Sequence, residues 1–173
     1  LVKNNGVLPL SQDTVSSVNV FGHAAIDWVY GGSGSGQVLP ENNNPAENVD
    51  FLKALELYGV SYNQSIISMY RKFAAPFGDI GSINNNYDAF YRLAEPSISD
   101  TGYYTSALLT EAKNYSNTVF VVIGRHAGET EDPTRVQYKV NASSAIDKNR
   151  HYLEISTEEE EMLKYVGANF ENV

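Results

Sequence analysis

One stretch, residues 118–132, constrains the fold more than any other part of the sequence. It contains five consecutive apolar residues, Val119 to Ile123, and this run ends at Gly124. Such a run of β-branched and aromatic residues predicts a strand buried on both faces, as in a parallel sheet covered by helices. A charged loop, RHAGETED, follows directly. Ligands bind at the carboxyl edge of the strands in open α/β sheets, so the pattern places a candidate site in this loop.

Shorter segments around this strand alternate as they do in α/β proteins. Strands are predicted at residues 18–21, 60–62 and 119–123. Helices are predicted from N-caps at Asn44 and Ser156 and from apolar periodicity, at residues 45–58, 66–73, 106–115 and 157–166. This order predicts a three-layer α/β/α sandwich with a mostly parallel sheet, forming a single domain over residues 1–173. Because three strands make a thin sheet and no strand follows the last helix, we expect a partial domain, truncated at its C-terminal end.

Residues 77–104 form the least regular part of the pattern. They are rich in aromatic side chains and predict a long connection with one helical turn at residues 88–93. The aromatic rings would suit stacking against a sugar, although packing beneath a long loop is the more frequent role.

Composition argues against several classes of partner. A formal net charge of −9 is opposite to the basic surface that a nucleic-acid partner requires. No apolar run approaches the roughly 20 residues of a membrane span. The chain has no cysteine, and its three histidines lack metal-ligand spacing, so no metal site is predicted. No cofactor is predicted, and the sequence leaves the localisation open between the cytoplasm, the cell surface and secretion.

A glycine-rich loop at Gly31–Gly36 follows the first predicted strand. Glycines allow a backbone to approach a ligand closely, although a plain flexible loop is the simpler interpretation. A phosphate-binding P-loop is not indicated, because Gly36 is followed by Gln37 and Val38 rather than by lysine and a hydroxyl residue. The third glycine of a dinucleotide-binding fingerprint is missing as well.

Glu129 is the strongest single candidate for a catalytic group. The like charges of Glu131 and Asp132 would raise its pKa, as a general acid requires, whereas Arg125 and His126 would lower it. The residues alone therefore leave a catalytic acid and an exposed loop acid as alternatives. The acidic run at residues 158–161 is most simply a solvated helix start.

Several segments resemble glycoside hydrolase family 3, the β-glucosidase family. LVKNNGVLPL is similar to that family's LLKN-x-x-x-LPL segment, and VNVFG to its first strand. VVIGRHAGETED resembles VVISR-x-SGEG-x-D, and HYLEISTEEEEMLKYV resembles the YLS-x-x-E-x-x-L helix. IDWVYGGSGSGQV is similar to the glycine loop of the circularly permuted branch, in which this domain precedes the barrel.

The resemblance implies that Glu129 is the general acid/base of a retaining β-glucosidase. The family's nucleophile is an aspartate on a separate (β/α)8 barrel, which this chain lacks, so the chain alone is expected to be inactive. Candidate substrate-binding residues lie in the two loops: Arg125, His126, Gly32, Ser33 and Gly34. The loop departs from the family pattern at Ala127, Thr130 and Pro133, which puts its sugar contacts in doubt.

The expected partners are thus a β-linked glucoside or oligosaccharide and the barrel of the same full-length protein. The alternative is a non-catalytic carbohydrate-binding or accessory domain that has kept the fold and lost the chemistry. A small-molecule or phosphate-binding domain with a flavodoxin-like fold ranks last.

Overall fold

The structure, a computed structural model, describes residues 4, 6, 8–11, 15–28, 48–76, 92–125, 134–139 and 149–173. Within these residues, one parallel sheet consists of β1 (Ser17–Phe21), β2 (Ser61–Tyr62) and β4 (Val119–Val121). Its strand order is β2-β1-β4. A second parallel pair joins β3 (Arg92–Leu93) to β5 (Tyr138–Lys139). The helices of the described residues are α1 (Phe51–Leu57), α2 (Gln64–Ala74), α3 (Ser106–Tyr115) and α4 (Thr157–Asn169).

Alternation along β1 builds one apolar cluster on each face of the main sheet. Phe21 points to one face, where it packs with residues of α2, α3 and α4. Val18 and Val20 point to the other face, where they pack with Leu52 of α1. Successive side chains of a strand point to opposite faces, so helices lie on both sides of the sheet. The predicted α/β architecture is confirmed.

Side-chain caps fix where the helices begin. Asn63 caps α2, Thr105 caps α3, and Ser156 caps α4 through a capping box with Glu159. The cap of α1 is Asp50, whose side chain accepts a hydrogen bond from the main-chain nitrogen of Lys53. The predicted helix start at residues 44–47 lies outside the described residues. However, residues 48–50 are not helical, so the prediction of one continuous helix from residue 45 is wrong.

Two other local predictions differ from the structure. The strand predicted at residues 119–123 ends at Val121, and its burial holds only at its start, since Val119 is 3% exposed and Ile123, after β4, is 38% exposed. Among the described residues, β4 pairs with β1 along one side. On its other side, a single bridge joins Thr118, just before β4, to Asn172. The helical turn predicted near residues 88–93 is contradicted at its end, where Arg92 and Leu93 form β3.

Buried amides tie β1 to two helices. Asn19, in the middle of β1, is fully buried, and its Nδ2 donates to the carbonyls of Ala112 and Ser116 at 2.8 Å each. Its Oδ1 accepts a hydrogen bond of 3.1 Å from Asn63 at the start of α2. Both polar atoms of the Asn19 side chain are hydrogen-bonded, so its burial leaves no polar atom unsatisfied. These contacts fix β1 against α2 and α3.

Candidate functional site

The carboxyl ends of β1 and β4 approach each other closely at two glycines. A Cβ atom added to Gly22 would lie 2.1 Å from the carbonyl oxygen of Val122, and Gly22 has a φ of 96°. A Cβ atom added to Gly124 would lie 3.0 Å from the Cβ of Ala24. Glycine is therefore required at Gly22, both for its backbone conformation and for the approach of the next strand.

We expect Gly22→Ala to lower the free energy of unfolding more than Gly59→Ala does. Both glycines have positive φ, but a Cβ at Gly59 meets nothing within 4 Å. The control therefore carries only the backbone strain of about 1–2 kcal/mol. Gly22→Ala adds overpacking against backbone, worth about a further 1–3 kcal/mol. Denaturant unfolding of the two variants measures the difference, and equal losses would contradict the close approach.

Arg125, four residues after β4, is held by five hydrogen bonds within the chain. Its Nε donates to the carbonyl of Tyr152 at 2.9 Å, and its Nη1 donates to the carbonyl of Gly124 at 2.8 Å. Its Nη2 donates to the carbonyl of Glu154 at 2.8 Å. Both carboxylate oxygens of Glu159 accept the remaining two bonds, at 2.7 Å from Nη1 and 2.5 Å from Nη2.

This set uses all five N–H donors of a guanidinium group. The side chains of Arg125 and Glu159 are 13% and 9% exposed, so the two-pronged pair is largely shielded from water. A contact between Arg125 and substrate would have to replace one of these bonds. Its predicted role in substrate binding stays a prediction, whereas its role as an anchor is visible in the structure.

The anchor continues into the turn before α4. Gln137, at the edge of β5, is 3% exposed, and its Nε2 donates to the carbonyls of His151 and Glu154 at 3.0 and 2.8 Å. The side chain of Tyr152 in the same turn is buried. Arg125 therefore emerges from β4 into a fixed frame, immediately before residues 126–133.

The remaining predicted site residues fall outside the described residues. These are Glu129, His126, Gly32, Ser33 and Gly34. The structure thus describes the anchor that precedes the candidate acid loop but not the loop itself.

A cluster of one partly buried acid, Glu95, and two buried tyrosines, Tyr70 and Tyr104, lies beside this edge. Glu95 Oε2 accepts a hydrogen bond of 2.8 Å from the main-chain nitrogen of His23, directly after β1. Glu95 Oε1 lies 2.8 Å from the hydroxyl of Tyr70 and 3.2 Å from that of Tyr104. The two hydroxyls are 2.6 Å apart, and Tyr70 also accepts a bond of 2.7 Å from the main-chain nitrogen of Gly22.

The surroundings of the Glu95 carboxyl group favour its neutral form. Desolvation is the largest effect and raises the pKa of Glu95 to about 8, although hydrogen bonds from His23 and Tyr70 act in the opposite direction. Desolvation also raises the pKa values of Tyr70 and Tyr104 well above their usual value. Desolvation therefore favours the protonated form of all three groups.

Glu95 and Glu159, the two acids near this edge of the sheet, were not identified from the sequence. Glu95 was hidden in the aromatic segment of residues 77–104, and its partner Tyr104 is 2% exposed and stacks on Phe21. For Tyr104 the packing interpretation is therefore right. The acidic run in the first turn of α4 is not simply a solvated helix start, since Glu158 and Glu159 are 9% and 7% exposed. The usable signal was the capping pattern, which places Glu159 three residues after Ser156.

The described residues offer neither a metal cluster nor a membrane-spanning helix. Among the described residues, no group of three or more histidine, cysteine, aspartate or glutamate side chains is arranged to hold a metal ion. Within the same part of the chain, no helix has the length and apolarity needed to cross a membrane.

Two β-glucosidases are similar to this chain in sequence. It is 29% identical over 133 residues to a β-glucosidase of Ruminococcus albus, covering 76% of this chain and 13% of that protein. It is 27% identical over 188 aligned positions to β-glucosidase A of Butyrivibrio fibrisolvens, covering 100% of this chain and 20% of that protein. The chain is related to β-glucosidases. It spans only a fifth or less of the length of these relatives. No family model matches it.

Solved structures agree on the fold. A β-glucosidase from Paenibacillus barengoltzii superposes with a TM-score of 0.66 at 23% identity, over 98% of this chain and 16% of that one. β-Glucosidase 3B from Thermotoga neapolitana, solved in complex with α-D-glucose, gives a TM-score of 0.62 at 19% identity, over 98% of this chain and 20% of that one. At these identities the likeness supports the α/β fold alone.

Proposed function

We propose that this chain is the acid/base-bearing α/β domain of a retaining β-glucosidase of glycoside hydrolase family 3, with Glu129 as the acid/base. The observation that carries the proposal is the fixed guanidinium of Arg125 at the carboxyl edge of the sheet. It supplies a rigid base for the loop that contains Glu129, in a chain related to β-glucosidases. Rigid support of this kind is what a catalytic group on a loop requires.

Pairing of Arg125 with Glu159 also bears on the charge state of the proposed acid. From sequence alone, Arg125 would lower the pKa of Glu129, whereas Glu131 and Asp132 would raise it. In the structure the positive charge of Arg125 is compensated by Glu159 at 2.5 Å. Within this proposal, an arginine paired in this way would lower the pKa of a nearby acid less than an unpaired arginine would, as a general acid requires.

The proposed reaction has two steps. In the first, an aspartate carboxylate on the barrel attacks the anomeric carbon, the glycosidic C–O bond breaks, and Glu129 gives its proton to the departing oxygen. In the second, the ionised Glu129 takes a proton from water as that water attacks the anomeric carbon, and the aspartate leaves. Two inversions give net retention, and the two carboxyl groups must stand about 5–5.5 Å apart.

The substrate and the second half of the site follow from the same proposal. The substrate is a β-linked glucoside or oligosaccharide, and the nucleophile is supplied by a (β/α)8 barrel of the same protein. This chain spans a fifth or less of the length of its relatives, which supports a further domain, the proposed barrel, elsewhere in the full-length protein. The glycine loop at Gly31–Gly36 would then lie near the leaving-group side, in the order of the permuted branch.

Hydrolysis of an aryl β-glucoside, followed by proton NMR of the first-formed sugar, tests this function. The protein as it is naturally encoded should release β-glucose first, and the α anomer should appear only by later mutarotation. A protein that binds glucosides in calorimetry but hydrolyses none would favour the alternative, an accessory carbohydrate-binding domain. Release of α-glucose as the first product would contradict the retaining mechanism.

A further inference from the structure

The Glu95 cluster occupies the place where open α/β sheets bind ligands. β1 lies between β2 and β4, so the chain order reverses beside its carboxyl end. Ligands of such sheets bind at this reversal, often on successive main-chain N–H groups. Here the N–H groups of Gly22 and His23 donate to Tyr70 and Glu95, so the chain's own side chains fill the position.

Counting protons favours a neutral Glu95 on geometry alone. Glu95 Oε1 and the hydroxyl oxygens of Tyr70 and Tyr104 form a triangle with sides of 2.6, 2.8 and 3.2 Å. With a protonated acid there are three hydrogens for three sides, and each oxygen donates once and accepts once. With an ionised acid only two hydrogens remain, so one side of the triangle joins two oxygens without a hydrogen between them.

We propose that Glu95 holds one proton and acts as a positioning residue, which locks the end of β1 against the end of β4 and so supports the Arg125 anchor. The contacts form a continuous path. Glu95 and Tyr70 hold the main chain of His23 and Gly22, and Gly22 packs directly on the carbonyl of Val122. Three residues later the chain reaches Arg125.

The groups that face the Glu95 carboxyl come from four parts of the fold. They are the main chain of His23 after β1, Tyr70 on α2, Tyr104 before α3 and Glu159 on α4. The imidazole of His23 itself packs edge-on against Phe73. Glu159 raises the pKa of Glu95 by its negative charge, and Glu159 is also the partner of Arg125. Loss of the proton would therefore place a second negative charge beside the anchor.

The raised pKa of Glu95 fixes the direction of the pH effect. The group has an ordinary value of 4.5 when exposed and about 8 in the fold, so between these values the folded state holds a proton that the unfolded state has released. Stability from this group is complete below about pH 4.5 and is lost as the pH rises to about 8. Across that window the unfolding constant should rise about tenfold per pH unit from this group alone.

Glu95→Gln provides the direct comparison, since glutamine is neutral at every pH and still offers a donor and an acceptor. In thermal or denaturant unfolding between pH 5 and pH 8, the parent protein should lose stability faster with pH than the Glu95→Gln variant. Glu111→Gln, at an exposed position of α3, removes a charge without touching the cluster and should keep the parent slope. Equal slopes for the parent and Glu95→Gln would overturn the proposal.

Infrared spectroscopy of the parent protein tests the proton without relying on a variant to fold. A protonated carboxyl band should persist at pH 7, fall to about half near pH 8 and be lost about one pH unit higher, and Glu95→Gln should lack it. A parent spectrum without this band at pH 6–7 would overturn the proposal.

The positioning role rests on the proposed glycosidase function and has its own measurement. At pH 7, kcat/KM of Glu95→Gln should stay within about threefold of the parent value, whereas Glu95→Ala should lose about tenfold or more with most of the loss in kcat. Unchanged kcat/KM in a folded Glu95→Ala variant would overturn the positioning role. Absence of glycosidase activity in the parent would refute the proposed function, while the infrared and unfolding results would still decide the proton.

Discussion

Replacement of Glu129 by alanine is expected to lower kcat on an alkyl β-glucoside by about 10²–10⁴-fold, the range that general acid–base catalysis contributes. An alkoxide is a poor leaving group, so the first step depends on the proton that Glu129 delivers. From an aryl glucoside, an acidic phenol departs with little need for protonation. With such a substrate, Glu129→Ala should slow the first step much less, and the second step, hydrolysis of the covalent intermediate, should become rate-limiting.

Neighbouring acids of the same loop provide the control. Glu131→Gln and Asp132→Asn remove the same charge within three residues of Glu129, without removing the proposed acid. Both should keep kcat within about tenfold of the parent value. If all three variants lost activity alike, regardless of the leaving group, the loop would be supporting the site through its shape or charge rather than through Glu129.

Replacement of Arg125 by glutamine is expected to cost about 3–5 kcal/mol of unfolding free energy, because it leaves the largely buried carboxylate of Glu159 without its partner. The pair is two-pronged, and both side chains are mostly shielded from water. Denaturant unfolding measures the loss. In the double variant with Glu159→Gln the loss should be smaller than the sum of the single losses, since the unpaired charge is gone.

The Arg150–Glu160 pair provides an exposed control, because its acid follows Glu159 directly on α4 and also pairs with Lys164. Its closest N–O distance is also 2.5 Å, but its side chains are 30% and 39% exposed. Exposed pairs contribute little because water screens them, so Arg150→Gln should cost much less than Arg125→Gln. If the two losses were similar, burial would not be what makes the Arg125 anchor strong.

Much of the fold could be predicted because its determinants are local. The apolar run from Val119 specifies a strand, and Ser156 with Glu159 specifies the start of α4. The start of α1 was predicted less well. The sequence pattern predicts the N-cap at Asn44, whereas in the structure Asp50 caps α1 and its side chain accepts a hydrogen bond from the main-chain nitrogen of Lys53. β3 is only two residues long and exists through its pairing with β5, which no local pattern reveals.

The candidate site was less predictable because its contacts join distant parts of the chain. The strand and the loop after it follow from sequence, whereas the pairing of Arg125 with Glu159 spans 34 residues. Glu95 and the Gly22–His23 turn are 72 residues apart in their closest contact. Burial of an acid depends on what the fold brings around it, so neither the anchor nor the tyrosine cluster could be deduced from residue type.

Rescue of Glu129→Ala by azide is the most direct test of Glu129 as the acid/base. An activated aryl β-glucoside should still form the covalent intermediate, and azide can attack it without the general base that water requires. We predict that added azide raises kcat of this variant and yields β-glucosyl azide as the product, while the parent protein still forms glucose. No rescue, or an α-glucosyl azide, would contradict the assignment of Glu129 as the acid/base of a retaining enzyme.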